Sequence, residues 1–282
     1  MHYAHNESNP LSLLPCRSFL FVPGNRPDRF EKAQRSGAHQ IIIDLEDAVA
    51  PADKAAARDN VANWEGRDAI IVRINGLDTP WFGDDVKMAR ESGIGWVMAP
   101  KAEPQVIETL GERLDRKTSL TALIETVEGF VNIDEISRKN RVKQLAFGNL
   151  DFSLDAGIRE ENRELDPVRL ALVLASRRAK LAAPIDGVTP DWSNADLCRE
   201  DVKRARSLGF GGKLCIHPSQ VVIANEGFLS SPKELEWARR ILEAVRLSGD
   251  GVTAVDGKMV DRPVIARANI ILAEHGLATE IK

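Results

Sequence analysis

Residues 41–49 read Ile-Ile-Ile-Asp-Leu-Glu-Asp-Ala-Val, and the fold turns on how that stretch is understood. The first five residues, Ile41–Leu45, are a short, nearly continuous apolar run. Glu46 and Asp47 end it, and an amphipathic stretch follows over Asp53–Asn63. A short run without alternation suits a strand buried on both faces. The same unit of apolar run, polar turn and amphipathic stretch recurs along the chain. The other runs are Phe19–Val22, Ile70–Ile74, Trp96–Ala99, Leu120–Ile124, Gln144–Phe147, Ile185–Val188 and Lys213–Ile216. Helical stretches between them include Arg26–Ser36, Asp84–Ser92, Pro104–Leu114, Asn132–Ser137, Pro167–Ala179 and Arg199–Leu208. Gly37, Gly93 and Gly209 stand just past helix ends, where a left-handed cap is required.

Strands that alternate with helices pair in parallel, because each crossover returns to the same side of the sheet. Eight such units predict a closed (β/α)8 TIM barrel, with an open doubly wound sheet as the structural rival. After the eighth run the pattern changes to a long helix over Pro232–Leu247, a Gly-rich, hairpin-like stretch over Ser248–Met259, and a last helix from about Pro263. The expected organisation is a tail over residues 1–16, a catalytic barrel over 17–228, and a C-terminal helical cap or oligomerisation arm over 229–282. That extension has too few residues to expect an independent core.

Composition removes other classes. The 282 residues are 43% hydrophobic and 28% charged, which suits a packed globule rather than a disordered chain. A net charge of −4 lacks the basic surplus of a nucleic-acid binder. No run approaches the roughly 20 apolar residues that span a bilayer, and Met1–Pro10 has no apolar signal core. Three cysteines without CxxC spacing indicate neither a disulfide framework nor a structural zinc site. A cytoplasmic enzyme acting on small molecules, without nucleic acid or membrane, is the expectation.

In such barrels the chemistry sits at the C-terminal ends of the strands, and polar residues gather there. Glu125 and Asp151 follow two different strands and converge across the barrel mouth. Two hard oxygen donors with open positions suit Mg²⁺; the alternative is that each caps the following helix. Arg73 ends an apolar strand, where a buried guanidinium must be paired. Its partner is either structural, Glu46 or Asp44, or a substrate carboxylate gripped in bidentate geometry. Asp44 and Glu46, two apart, share an orientation if the strand continues; with Asp47 they form an acidic cluster that either orients metal-bound water or Arg73, or pairs with Lys54 or Arg58 on the following helix, the latter above all for Asp47. Pro23-Gly24-Asn25 is a tight turn whose N–H groups can hold a phosphate, with Arg26 beside it; the same charges also read as a solvated face. His217, before Pro218, is a candidate base or a hydrogen-bonded structural residue. Lys101 is the one strand-end candidate for a Schiff base, so metal-assisted enolate chemistry outranks covalent catalysis.

The motifs Arg17-Ser18-Phe19-Leu20-Phe21-Val22-Pro23-Gly24-Asn25, Asp44-Leu45-Glu46-Asp47-Ala48-Val49, Val72-Arg73-Ile74-Asn75-Gly76, Pro100-Lys101, Ile124-Glu125-Thr126, Phe147-Gly148-Asn149-Leu150-Asp151, Gly212-Lys213 and Ile216-His217-Pro218 occur in this order. In them the chain resembles the citrate-lyase β-subunit-like branch of the HpcH/HpaI aldolase superfamily, which includes malyl-CoA and citramalyl-CoA lyases. The resemblance implies a lyase that reversibly cleaves a 3-hydroxy-3-carboxyacyl-CoA of the malyl-, citramalyl- or citryl-CoA type. It implies Mg²⁺, or Mn²⁺, on Glu125 and Asp151, and Arg73 on the oxo acid or oxyanion. Glu46 and Asp47 act through metal-bound water, and Pro23, Gly24, Asn25 and Arg26 lie toward the CoA thioester. CoA-using members carry an acidic tail residue that serves a neighbouring subunit; Met259-Val260-Asp261 matches it, which implies a homotrimer or hexamer. Free 2-oxo acid aldolases tend to carry a histidine soon after the second strand, where this chain has Asp47. The rivals are a malyl-CoA-type thioesterase, an aldolase on free acids, and a non-catalytic citrate-lyase-like subunit.

Overall fold

The computed structural model describes residues 16–159, 163–248 and 253–277. All of the expected tail over residues 1–16 except Cys16 lies outside the described residues. The chain divides into two compact units, one ending at Glu226 and the other beginning at Gly227.

The first unit is a closed parallel barrel of eight strands in chain order, with β1 paired to both β2 and β8. The strands are β1 (Ser18–Pro23), β2 (Gln40–Asp44), β3 (Ile71–Arg73), β4 (Trp96–Ala99), β5 (Ser119–Ile124), β6 (Val142–Phe147), β7 (Ile185–Asp186) and β8 (Gly212–Cys215). The expected TIM barrel is therefore correct and the open sheet is excluded. Every residue of β2 and of β5 is buried, as strands covered on both faces require. The crossovers hold α1 (Phe30–Gln34), α2 (Lys54–Asn63), α3 (Phe82–Glu91), α4 (Pro104–Arg113), α5 (Val127–Val131), α6 (Ile133–Arg138), α7 (Asn149–Asp155), α8 (Asp166–Arg178) and α9 (Ala195–Leu208). After β8 comes α10 (Pro218–Gly227). Gly209 closes α9 with φ at +105°, in the left-handed region that a side chain disfavours.

One residue from every strand meets in a single cluster: Phe19, Ile42, Ile71, Met98, Leu123, Ala146, Ile185 and Leu214. Outward faces of a closed barrel diverge, so a cluster fed by all eight strands is its interior. Strand side chains alternate, and the residue two further on points the same way. Six of those successors are Phe21, Asp44, Arg73, Glu125, Gly148 and Ile216. The apolar core layer thus dictates which residues face the barrel mouth.

The second unit has α11 (Pro232–Ser248), the antiparallel hairpin β9 (Thr253–Val255) and β10 (Lys258–Val260), and α12 (Arg262–Glu274). Asp256 and Gly257 turn the hairpin with φ of +53° and +73°, the Asp-Gly pattern of a tight two-residue connection. Contrary to expectation, this unit buries a cluster of its own, from Ala238, Ile241 and Leu242 of α11 and Ala268, Ile271 and Leu272 of α12. Among the described residues no helix is long and apolar enough to cross a membrane.

Candidate active site

A cavity of about 330 Å³ opens at the C-terminal ends of the strands, and the six mouth-facing residues all line it, with Asp47, Asn149 and Asp151 beside them. Phe147, Val188 and Leu214 supply much of its apolar wall.

Arg73 is the centre of its charge. Asp44 and Arg73 are direct partners in the β2–β3 register, so each strand's last residue brings its side chain to the other. Arg73 donates from Nε to Oδ1 and from Nη2 to Oδ2 of Asp44, both at 2.7 Å. The third guanidinium nitrogen, Nη1, lies 2.9 Å from Glu46 and 3.4 Å from Asp47. The ring of Phe21 lies under the guanidinium at 4.8 Å. Burial works to lower the Arg73 pKa, but the surrounding carboxylates, Asp44 foremost with Glu46 and Glu125, together outweigh it and the group stays charged. Of the two partners left open by the sequence, the structural one takes the bidentate edge.

The acidic loop after β2 is built from its backbone. Asp44 accepts the N–H groups of Glu46 (2.9 Å) and Ala48 (3.0 Å). The buried Lys54 donates to the carbonyls of Leu45 and Glu46, both at 2.7 Å, and to Asn75 at 2.6 Å. Of the two readings of Asp47, the pairing with Lys54 or Arg58 is not formed, and the one toward Arg73 is. Lys54 is spent on carbonyls, Arg58 pairs with Asp84 and Asp85, and Asp47 turns to Arg73 with its side chain 69% exposed. Glu46 also lies beyond the strand, since β2 stops at Asp44; it reaches Arg73 through the loop rather than through strand alternation.

Glu125 is only 3% exposed. Its Oε1 accepts the N–H of Lys101 at 2.7 Å, and Lys101 takes φ of +43° to deliver it. The Lys101 side chain is exposed, and the residue serves the site through its backbone. Gly148 makes room for Glu125: a Cβ there would fall 2.5 Å from the Cβ of Glu125 and 2.6 Å from its Oε2. Burial pushes Glu125 up to about 7, against the pull of Arg73, and the nearby charges of Asp151 and Asp47 push it further. Glu46 rises to about 8, again through burial first, with Glu125 and Asp47 adding to it. Asp151 sits in the first turn of α7, on the strand end next to that of Glu125.

The residues present fit a hard divalent cation. Two carboxylates with oxygen donors reach one cavity from neighbouring strand ends. Burial leaves the bare Glu125 charge poorly solvated, and a cation would relieve that. No three His, Cys, Asp or Glu side chains close on one point among the described residues. A cation held here would complete its shell with water or substrate oxygens, as Mg²⁺ commonly does.

Other predicted residues play different parts. The N–H of Gly24 goes to the Asp44 carbonyl at 2.8 Å and that of Arg26 to the Pro23 carbonyl at 3.0 Å. Asn25 donates to Asp53, and the exposed Arg26 is forked onto Asp28. These two N–H groups of the turn are thus committed within the chain. His217 stacks on Trp192, ring centroids 4.2 Å apart, and accepts the Ser219 N–H at Nδ1. Asp186 is fully buried and pairs with Arg169 of α8 at 2.8 Å. Asp261 belongs to the second unit, where it is exposed and caps α12 by accepting the Val264 N–H at 3.1 Å.

Comparison with known proteins gives the same direction. L-malyl-CoA/beta-methylmalyl-CoA lyase of Cereibacter sphaeroides is 34% identical, over 92% of this chain and 94% of the relative. The (3S)-malyl-CoA thioesterase of that species is 36% identical over the same shares. CitE of Mycobacterium tuberculosis, crystallised with magnesium, acetoacetate and coenzyme A, superposes with a TM-score of 0.83 at 31% identity, covering 93% of this chain and 98% of that one. The sequence profile of the HpcH/HpaI aldolase/citrate lyase family matches residues 17–218, and with the barrel and its carboxylate–arginine site this places the chain among the lyases of that family.

Proposed function

We propose that this protein is a Mg²⁺-dependent carbon–carbon lyase that reversibly cleaves a 3-hydroxy-3-carboxyacyl-CoA into an acyl-CoA and a 2-oxo acid. The observation that carries the reading is the convergence of Glu125, Asp151 and a pre-oriented Arg73 on one small, largely apolar cavity. The relatives' malyl-CoA names and the coenzyme A in the CitE crystal support the thioester.

In cleavage, the substrate hydroxyl gives up its proton and its C–O bond becomes a carbonyl. The bond between the hydroxyl-bearing carbon and the carbon α to the thioester carbonyl breaks, and its electron pair passes to the thioester enolate. A proton delivered to that carbon completes the acyl-CoA. Bound Mg²⁺ supplies Lewis-acid polarisation of the hydroxy-acid oxygens. Glu125 and Asp151 hold that charge, and the pKa of Glu125 raised by burial reflects the cost of standing there without it. Asp44 fixes the plane of Arg73 by two bonds, so the guanidinium meets the substrate carboxylate or developing oxyanion without reorganising. Glu46 and Asp47 take up the hydroxyl proton through water. A carboxyl pushed up toward neutrality, as Glu46 is, suits proton exchange at physiological pH. Asp261 of the partner subunit returns the proton to the enolate carbon, which makes the working enzyme a homotrimer or hexamer. Pro23, Gly24, Asn25 and Arg26 contribute to the CoA side through the exposed Arg26 side chain more than through the turn's backbone.

A second reading, hydrolysis of the thioester, is favoured by the (3S)-malyl-CoA thioesterase relative. The test is release of 2-oxo acid from malyl-, citramalyl- and citryl-CoA with Mg²⁺, with EDTA, and with Mg²⁺ restored. Oxo acid that appears only with the metal supports the lyase. Its absence from all three substrates rejects it.

A further inference from the structure

We propose that Asn149 is a positioning residue that sets Asp151 relative to Glu125, by locking α7 to the turn after β7; this rests on the reading of those two carboxylates as metal ligands. Asn149 is the first residue of α7, and Asp151 follows within the same turn. The N-cap residue of this short helix, Gly148, makes no side-chain cap bond. The helix direction is set instead by the buried Asn149 amide, which crosses to the neighbouring strand end. Asn149 Oδ1 accepts the Val188 N–H at 2.8 Å, and Nδ2 donates to the Val188 carbonyl at 3.3 Å.

The socket is shaped for that amide. A Cβ on Gly187 would fall 1.9 Å from Asn149 Oδ1 and 2.6 Å from its Cγ, so a side chain there and the Asn149 amide exclude each other. The turn is in turn anchored. Buried Lys213 of β8 donates to the Gly187 carbonyl at 2.6 Å and stands 3.6 Å from Asp186, which Arg169 also holds. Lys213 is thereby a strut and not a nucleophile. On the other side of Asn149, Gly148 packs against Glu125. Residues 148–151 therefore touch one carboxylate, carry the other, and are hydrogen-bonded to the β7 turn by the Asn149 side chain. Partners one step behind metal ligands commonly govern affinity by fixing ligand orientation.

The test titrates Mg²⁺ by calorimetry into the full-length wild type, Asn149→Ala, Gly187→Ala and Glu125→Gln, with thermal unfolding of each. The two lock variants are expected to need roughly 10–100-fold more Mg²⁺ for half-saturation, with kcat recovering as Mg²⁺ is raised. Asn149→Ser retains an acceptor and takes the place of Asn149→Ala if the latter does not fold. Wild-type Mg²⁺ affinity in the lock variants, with only a lower Tm, overturns the positioning role. If Glu125→Gln also keeps wild-type affinity, the metal assignment itself falls; if Glu125→Gln alone loses Mg²⁺, only the inference about Asn149 does.

Discussion

Arg73→Lys separates what the guanidinium does for the fold from what it does for the reaction. Lysine keeps the charge but carries one nitrogen on a flexible stem. The native fork makes two 2.7 Å bonds to Asp44 while a third nitrogen stays 2.9 Å from Glu46. A single ammonium can serve Asp44 or Glu46 but not hold both in one plane. Asp44 keeps its bonds from the Glu46 and Ala48 N–H groups, so it is not orphaned. The stability loss is then that of one charge-assisted hydrogen bond, about 1.5–3 kcal/mol. In a barrel of this size that lowers Tm by roughly 3–12 °C. Catalysis should fall separately. Loss of the planar donor set is expected to cost at least about tenfold in kcat/KM, or roughly 1.4 kcal/mol of transition-state stabilisation. The assay is steady-state oxo-acid release at saturating Mg²⁺ beside a thermal melt. A lowered Tm with unchanged kcat/KM would refute the substrate role and leave Arg73 as the structural partner of Asp44.

Glu125→Gln should abolish Mg²⁺-dependent turnover and keep the far-ultraviolet circular dichroism of the barrel; wild-type activity in the presence of a chelator contradicts the metal assignment. The pH dependence follows from the carboxyls of Glu46 and Glu125, raised to about 8 and about 7 from ordinary values of 4.5. Between the ordinary and raised values the folded state binds more protons than the unfolded state. Metal-free stability therefore falls as pH rises from about 4.5 to about 8, and the Tm gain on adding Mg²⁺ should grow between pH 6 and 8; a gain that shrinks with pH is the contrary result. Mixing inactive Asp261→Ala with inactive Glu125→Ala after subunit exchange should restore activity, because some interfaces then join an intact Glu125 to an intact Asp261. Mixed oligomers without activity would place Asp261 within its own chain or outside the chemistry.

The strands were legible because burial on both faces writes a nearly continuous apolar run, as in Ile41–Ile43 and, broken only by Thr121, Leu120–Ile124. The short helices α5 and α7 were not, because they are five and seven residues long and a turn or two carries little 3.6-residue periodicity. At the site, Arg73 and Glu125 could be picked out because a charge closing an apolar strand demands a partner. Asn149 and Gly187 could not, since their contact joins positions far apart in sequence and exists only once the barrel closes. The turn at Gly24 admits two readings. The glycine suggests phosphate, yet a Cβ there would lie 2.8 Å from Leu45 and 3.1 Å from Ala57 and the Asp44 carbonyl. Close packing of the turn on β2 and α2 accounts for the glycine without a ligand.

The central claim is that the broken bond is carbon–carbon and the thioester survives. Malyl-CoA, citramalyl-CoA and citryl-CoA should each be incubated with the Mg²⁺-loaded enzyme, and acyl-CoA, 2-oxo acid and free CoA thiol quantified over the same time course. The account predicts acyl-CoA and 2-oxo acid in equal amounts from at least one of them, with no free thiol. Stoichiometric free thiol together with the intact hydroxy acid would show hydrolysis of the thioester and contradict it.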